Sequence, residues 1–203
     1  MNPAIRLEAP TDFRETEFIT REAFWDVYKP GCDEHLLLHK LRRVPAFVPE
    51  LDFVAVHENR IIGNIIYSRV KVVGENAVAH EVLCMGPLTV APAHQGRGVG
   101  GALMRHSSAR AREMGFNAIL IFGNPGYYHR FGFENAQKYR ITTSEGANLD
   151  PFMALELREH GLRGVEGKYH EDPVFKIDAA ELEEFEKQFP FKEKHVTDTQ
   201  LKL

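Results

Sequence analysis

The chain has 203 residues, 43% hydrophobic and 27% charged, a size and composition suited to one domain with a sizeable core. Lys and Arg number 25 against 29 Asp and Glu, for a net charge of −4; this excludes the basic footprint of a general nucleic-acid binder and argues against a disordered polyelectrolyte. No apolar run approaches the roughly 18 residues of a membrane span, and residues 1–10 show no signal-peptide pattern. With only Cys32 and Cys84 present, a reducing cytoplasm is the simplest expectation, although one disulfide stays open.

In chain order, Ala4 to Glu8 reads as a first strand, and Thr11 or Asp12 caps a helix to about Phe24, with Glu15 placed for a capping box. A break carrying exposed aromatics, Trp25 to Gly31, precedes a second helix from Asp33 to about Arg43. Strands are expected at 52–57 and 61–73, joined by Glu58-Asn59-Arg60, and at 81–90, where Gly86-Pro87 predicts a bulge or local unpairing. A glycine-rich turn opens a helix to about Met114, followed by a buried strand at 116–122, a short helix around Tyr127 to Arg130, and a last core strand at 153–157. Asp178 caps a final helix to about Gln188, with Glu181 three residues on. The alternation gives an α/β or α+β domain, and 81–122 reads as a right-handed βαβ unit.

Four glycines in six positions, 96, 98, 100 and 101, stand where that helix begins. Glycine lets a ligand approach the backbone, and the first helical amides are unpartnered at the positive end of the dipole, so the turn predicts an anion site, with Arg97 as an added charge. It lacks the Lys-Ser/Thr of a P-loop. Gly96-x-Gly98-x-x-Gly101 matches a dinucleotide fingerprint literally, but five residues separate it from the strand and no ribose-holding acid ends the next one. His35 and His39 lie i, i+4 without a third ligand, so a solvated helix face is preferred to a metal site. Cys84 reads as a small hydrophobe. The acidic stretch 171–193 reads as a solvated, charge-laced helix, and the Phe24, Trp25 and Tyr28 cluster as either pocket lining or core.

Gln95-Gly-Arg-Gly-Val-Gly100, the preceding Gly86-Pro-Leu-Thr-Val-Ala-Pro92 and the downstream Tyr127-Tyr-His-Arg-Phe-Gly-Phe133 together resemble the motifs of the GNAT family of acetyl-CoA-dependent N-acetyltransferases, in the family's order. The resemblance is clear over residues 4–157 and fades beyond. It implies a GNAT-like mixed, mostly antiparallel twisted sheet with splayed fourth and fifth strands and helices on both faces. The implied organisation is a core at 1–157 and a C-terminal extension at 158–203 packing on it. Coenzyme A pyrophosphate would rest on Gln95, Gly96, Arg97, Gly98, Val99, Gly100 and Gly101. The pantetheine arm would run along Leu88, Thr89 and Val90, with Asn124 bonding it.

The same resemblance implies Tyr128 as general acid, since a phenol with a pKa of roughly 10 stays protonated at neutrality. It offers Glu81 as base or substrate carboxylate and the Val90 amide for the oxyanion, while Tyr127 is expected to be structural. The acceptor would be a small-molecule or protein amine, with no nucleic acid, membrane or metal, and a homodimer is compatible. An acyl-CoA-binding regulatory module without turnover is the alternative.

Overall fold

A computed structural model describes residues 3–198 and 200. Nine strands form one sheet: β1 (Ala4–Leu7), β2 (Phe53–His57), β3 (Arg60–Val73), β4 (Ala79–Val90), β5 (Ala118–Phe122), β6 (Glu134–Asn135), β7 (Ile141–Thr142), β8 (Phe152–Glu156) and β9 (Gly167–His170). The order is β1-β2-β3-β4-β5-β8-β6, with β9 pairing β3 and β7. Among the described residues only β4 with β5 and β7 with β9 run parallel. This is the mixed, mostly antiparallel sheet expected; a doubly wound parallel sheet, which a dinucleotide fold needs, is absent among the described residues.

Alternation along the strands explains the layering. Phe53, Ala55, Ile62, Ile65, Tyr67, Leu83 and Met85 point to one face, where α3 (Val99–Glu113) lays down Val99, Leu103, Met104 and Ala111. Ile62 is the extra residue of the β2–β3 bulge between Ala55 and Val56, and the residues of the alternate set face the other way. Val54 and Ile61 meet Ile19 of α1 (Phe13–Phe24), and Ile66 meets Leu38 and Leu41 of α2 (Glu34–Leu41). Each Leu or Ile fully buried in these layers contributes about 1.5–3 kcal/mol. The α3 layer sits close because Gly63 has no side chain: a Cβ there would lie 2.9 Å from the Thr89 carbonyl and 3.0 Å from Leu103 Cδ1.

Several expectations are corrected. The capping box at α1 does not form: a 3-10 turn at Pro10–Asp12 comes first, Asp12 accepts from the Ala9 amide at 2.8 Å, and Glu15 accepts instead from the Ile61 amide at 3.2 Å. The strand at 152–156 is not the last, since β9 follows and covers the edge of β3 at Lys71 to Val73. With two and four residues, β7 and β9 are too short to announce themselves by alternation. His35 is fully buried, with Nε2 2.7 Å from Glu186 and its ring against Phe185 and Phe189. His39 Nδ1 lies 2.7 Å from Glu17. Neither histidine belongs to a solvated face, because α5 (Ala179–Glu186) lands on α2 there. Asp178 does cap α5, accepting from the Glu181 amide at 2.9 Å. Both cysteines are buried free thiols, and burial pushes Cys84 up to about 12.

Filling the Gly63 position forces α3 away from β3 and β4. Gly63→Ala is therefore expected to lower unfolding stability by about 1–3 kcal/mol, read from urea denaturation.

Candidate functional site

Strands β4 and β5 pair only at Leu83 with Ile119 and Cys84 with Leu120. Beyond Cys84, β4 continues to Val90 on its β3 side alone, where Ile65, Asn64 and Gly63 face Leu88, Thr89 and Val90, while β5 continues along β8. Pro87, which has no N–H to donate, and Gly86 at φ +142° stand where the pairing ends and where the β3–β4 register slips. The two strands therefore splay, and a cleft of about 710 Å³ opens between them.

Three walls line this cleft: Leu88 and Val90 of β4, the turn from His94 through Gly101 with Arg105 one helical turn on, and Tyr127, Tyr128, Arg130 and Phe131 from α4 (Pro125–Tyr128) and the 3-10 turn after it. The last residues of α1 and the loop after it, Ala23, Phe24, Val27 and Tyr28, close the remaining side.

The glycines of the turn serve two different ends. Gly96 and Gly98 have φ of +70° and +83°, and a Cβ on either would meet nothing within 4 Å; they are needed for backbone direction and leave open space over the first amides of α3. Gly100 and Gly101 are needed for room. A Cβ at Gly100 would come 2.6 Å from the Tyr127 hydroxyl, and one at Gly101 3.2 Å from Arg105 Nη1 and 3.4 Å from the Phe131 ring. Gln95 donates its Nε2 to the Val90 carbonyl at 3.1 Å and ties the turn to the strand end.

Among the expected site residues, the structure brings Leu88, Val90, Gln95, Gly96, Gly98, Val99, Gly100, Gly101 and Tyr128 to one cleft. Thr89 turns its side chain the other way and bonds Thr20 of α1 at 2.9 Å. Arg97 is exposed and outside the lining. Asn124 caps α4, its Oδ1 accepting from the Gly126 amide at 2.9 Å. Glu81 is not brought to the site. It pairs with Arg69 at 2.7 Å, and that guanidinium stacks over Phe116, past the far end of α3; fifteen helical residues, about 22 Å, separate that end from the glycine turn.

Sequence reasoning missed Arg105, Arg130 and His94. Arg105 follows Gly101 at i+4, a spacing that places it over the turn. Arg130 stacks on the Tyr127 ring at 4.1 Å. Tyr127, expected to be structural, presents its hydroxyl to the turn itself. All the formal charge of the lining is cationic and lies at the glycine end, while the α1 side offers Phe24, Val27 and Tyr28.

Burial and the neighbouring Tyr127 and Tyr28 push the Tyr128 hydroxyl well above the ordinary phenol range. Its ring packs edge-on to Tyr127 at 4.9 Å and Phe133 at 5.5 Å, and a Cβ at Gly123 would run into it. Behind Tyr28, Glu34 in the first turn of α2 is a half-buried carboxyl pushed up by burial to about 7.

Residues 50–135 match the family model described as the acetyltransferase (GNAT) domain. The Escherichia coli protein described as uncharacterized N-acetyltransferase YhbS is 31% identical over 170 residues, covering 82% of this chain and 96% of the relative. The crystal structure of the E. coli GNAT family N-acetyltransferase YhbS in complex with CoA superposes with a TM-score of 0.74 at 25% identity, over 86% of this chain and 92% of that one. A Brucella melitensis GNAT family acetyltransferase in complex with acetyl-CoA gives 0.68 at 27% identity, over 85% and 97%.

The raised Glu34 pKa fixes a sign. The folded state holds this proton more tightly than the unfolded chain, so the carboxyl favours folding at low pH and loses that contribution as pH rises from about 4.5 to about 7. Glu34→Gln, which keeps an acceptor for the Asp33 amide, is expected to gain melting temperature over the parent at pH 8 and little at pH 5, read by scanning calorimetry at both values.

Proposed function

Because the chain belongs to the GNAT family of acetyltransferases, we propose that it moves the acetyl group of acetyl-CoA directly onto an amine held in the β4–β5 cleft. The observation that carries this reading is the parting of β4 and β5 directly beside a glycine turn whose first two glycines leave open space over unpartnered helix amides. A diphosphate suits those amides and the positive end of the α3 dipole, with Arg105 and Arg130 adding charge-assisted bonds. A pantetheine arm, which carries amides, suits the free side of β4 along Leu88, Thr89 and Val90 by strand-like addition. The thioester would then lie beside Val90, facing Tyr128.

Amine attack requires loss of a proton, a donor for the oxyanion and a donor for the departing thiolate. The β4 edge at Val90 supplies the amide for the oxyanion. Tyr128 donates to the sulfur. With its pKa held above that of a thiol, this phenol hydrogen-bonds the developing thiolate and stays protonated over the whole working range. The lining among the described residues contains no carboxylate, so water carries the amine's proton out of the cleft.

Three measurements test the reading. Coenzyme A should raise the melting temperature and NADH should not. Thiol release from acetyl-CoA should rise with at least one amine of a panel of tyramine, spermidine, lysine, kanamycin and a peptide with a free α-amine. Tyr128→Phe should lower kcat for that amine by about 100-fold with little change in the KM of acetyl-CoA. Tight coenzyme A binding with no release for any amine would favour the non-turnover module.

A further inference from the structure

The segment that closes the amine side of the cleft has two faces. Ala23, Phe24, Val27 and Tyr28 look into the cleft. Arg21, Glu22, Trp25 and Asp26 look away from it, and every one of them is engaged by the C-terminal tail. Arg21 is 2% exposed; it grips Glu186 through Nε and Nη2, donates to the Pro190 carbonyl at 3.2 Å and stacks on Trp25 at 4.2 Å. Lys192 pairs with Glu22 at 2.7 Å. The Trp25 indole donates to the Glu193 carbonyl at 2.8 Å.

Asp26 is the hub. It holds the left-handed φ of +60°, a region where Asn and Asp are favoured over most other side chains. Its Oδ1 accepts from the Gly31 amide at 2.6 Å and its own amide donates to the Gly31 carbonyl at 2.9 Å, which closes the loop 26–31 on itself. Its Oδ2 lies 3.0 Å from His195 Nδ1, and its carbonyl accepts from Thr197 at 2.9 Å and Gln200 at 3.1 Å. Lys194 lies over Gly31, where a Cβ would come 3.0 Å from its Cε.

We propose that the C-terminal tail, residues 190–198 with Gln200, is a backing strap for the amine-side wall, and that Asp26 is the positioning residue through which it fixes Phe24, Val27 and Tyr28. This rests on the reading of the cleft as an acetyltransferase site with the amine entering along the 23–28 wall. Among the described residues no hydrogen bond or ion pair joins the strap to the glycine turn, so it sets affinity for the acceptor and leaves the cosubstrate's affinity alone. A short tail bonded mostly through backbone carbonyls and exposed side chains opens at low cost, which gives the wall a separately adjustable stiffness.

Trp25 is the sole tryptophan of the chain, so its emission reports the strap directly. Full-length Asp26→Ala, Asp26→Asn and a chain ending at Phe189 are compared with the parent. Asp26→Ala and the shortened chain should red-shift Trp25 emission and speed hydrogen exchange over 24–31. They should also raise the KM of the amine that turns over in the panel by about 10-fold or more. The melting shift given by coenzyme A and the KM of acetyl-CoA should stay within twofold. Asp26→Asn keeps the Oδ1 acceptor for Gly31 at a φ that asparagine tolerates and exchanges the Oδ2 acceptor facing His195 for a donor, so its emission and exchange should fall between those of Asp26→Ala and the parent.

If the shortened chain does not fold, the two full-length variants decide. Unchanged emission and exchange in Asp26→Ala, or amine and acetyl-CoA KM values rising together, would overturn the strap. If no amine turns over, emission and exchange decide it alone. Loss of coenzyme A binding by the parent would instead overturn the reading of the cleft.

Discussion

The site exists because two parallel strands stop pairing after two residues. Parallel neighbours at the centre of a sheet ordinarily pair along their length, and leaving backbone groups unpaired in such a place costs free energy unless something else meets them. Here β4 is held on its other side by β3 for its whole run to Val90, and β5 is held by β8, so each strand keeps its direction without the other. Pro87 removes one donor at the divergence and Gly86 supplies a backbone angle that side chains rarely adopt. A groove with one strand edge as its floor is a demand for an extended ligand carrying amides.

The electrostatic layout follows from which element ends at the groove. The α3 N-terminus, Arg105 and Arg130 concentrate positive potential at one end, in a protein whose net charge is negative. The α1 end contributes rings and aliphatic carbons. One groove thus presents a cationic end and an apolar end, separated by Tyr127 and Tyr128.

Much of this was legible in the sequence. The three motifs placed the glycine turn, the interrupted β4 and the tyrosines, because each depends on a local backbone demand that only Gly or Pro, or a fixed spacing, satisfies. What was not legible is what depends on distant chain. The buried roles of His35 and His39 come from α5 landing on α2 some 140 residues later, and i, i+4 spacing carries no trace of that. Glu81 sits on the same strand as Val90, so sequence alone makes it a neighbour of the site; the strand's length and the direction of α3 put it at the opposite end of the helix. Arg97, expected at the turn by nearness in sequence, precedes the helix and is exposed, whereas Arg105 is brought back over the turn by its i+4 spacing from Gly101.

Asn124 shows how one local device sets the chemistry of two side chains. Its side chain accepts from Gly126, and its carbonyl accepts from the amides of both Tyr127 at 2.9 Å and Tyr128 at 3.1 Å, so a single residue fixes the start of α4. Successive helical positions differ by about 100°. Adjacent tyrosines therefore leave the same cap in different directions. Tyr127 is sent to Gly100, where the absence of a Cβ makes room for its hydroxyl, and Tyr128 is sent under Gly123 and against Phe133, where burial holds its proton. A polar residue at position 124 is thus explained by the cap alone. The division between a tyrosine against the glycine turn and a tyrosine buried against Phe133 is a consequence of helix geometry acting on two consecutive residues.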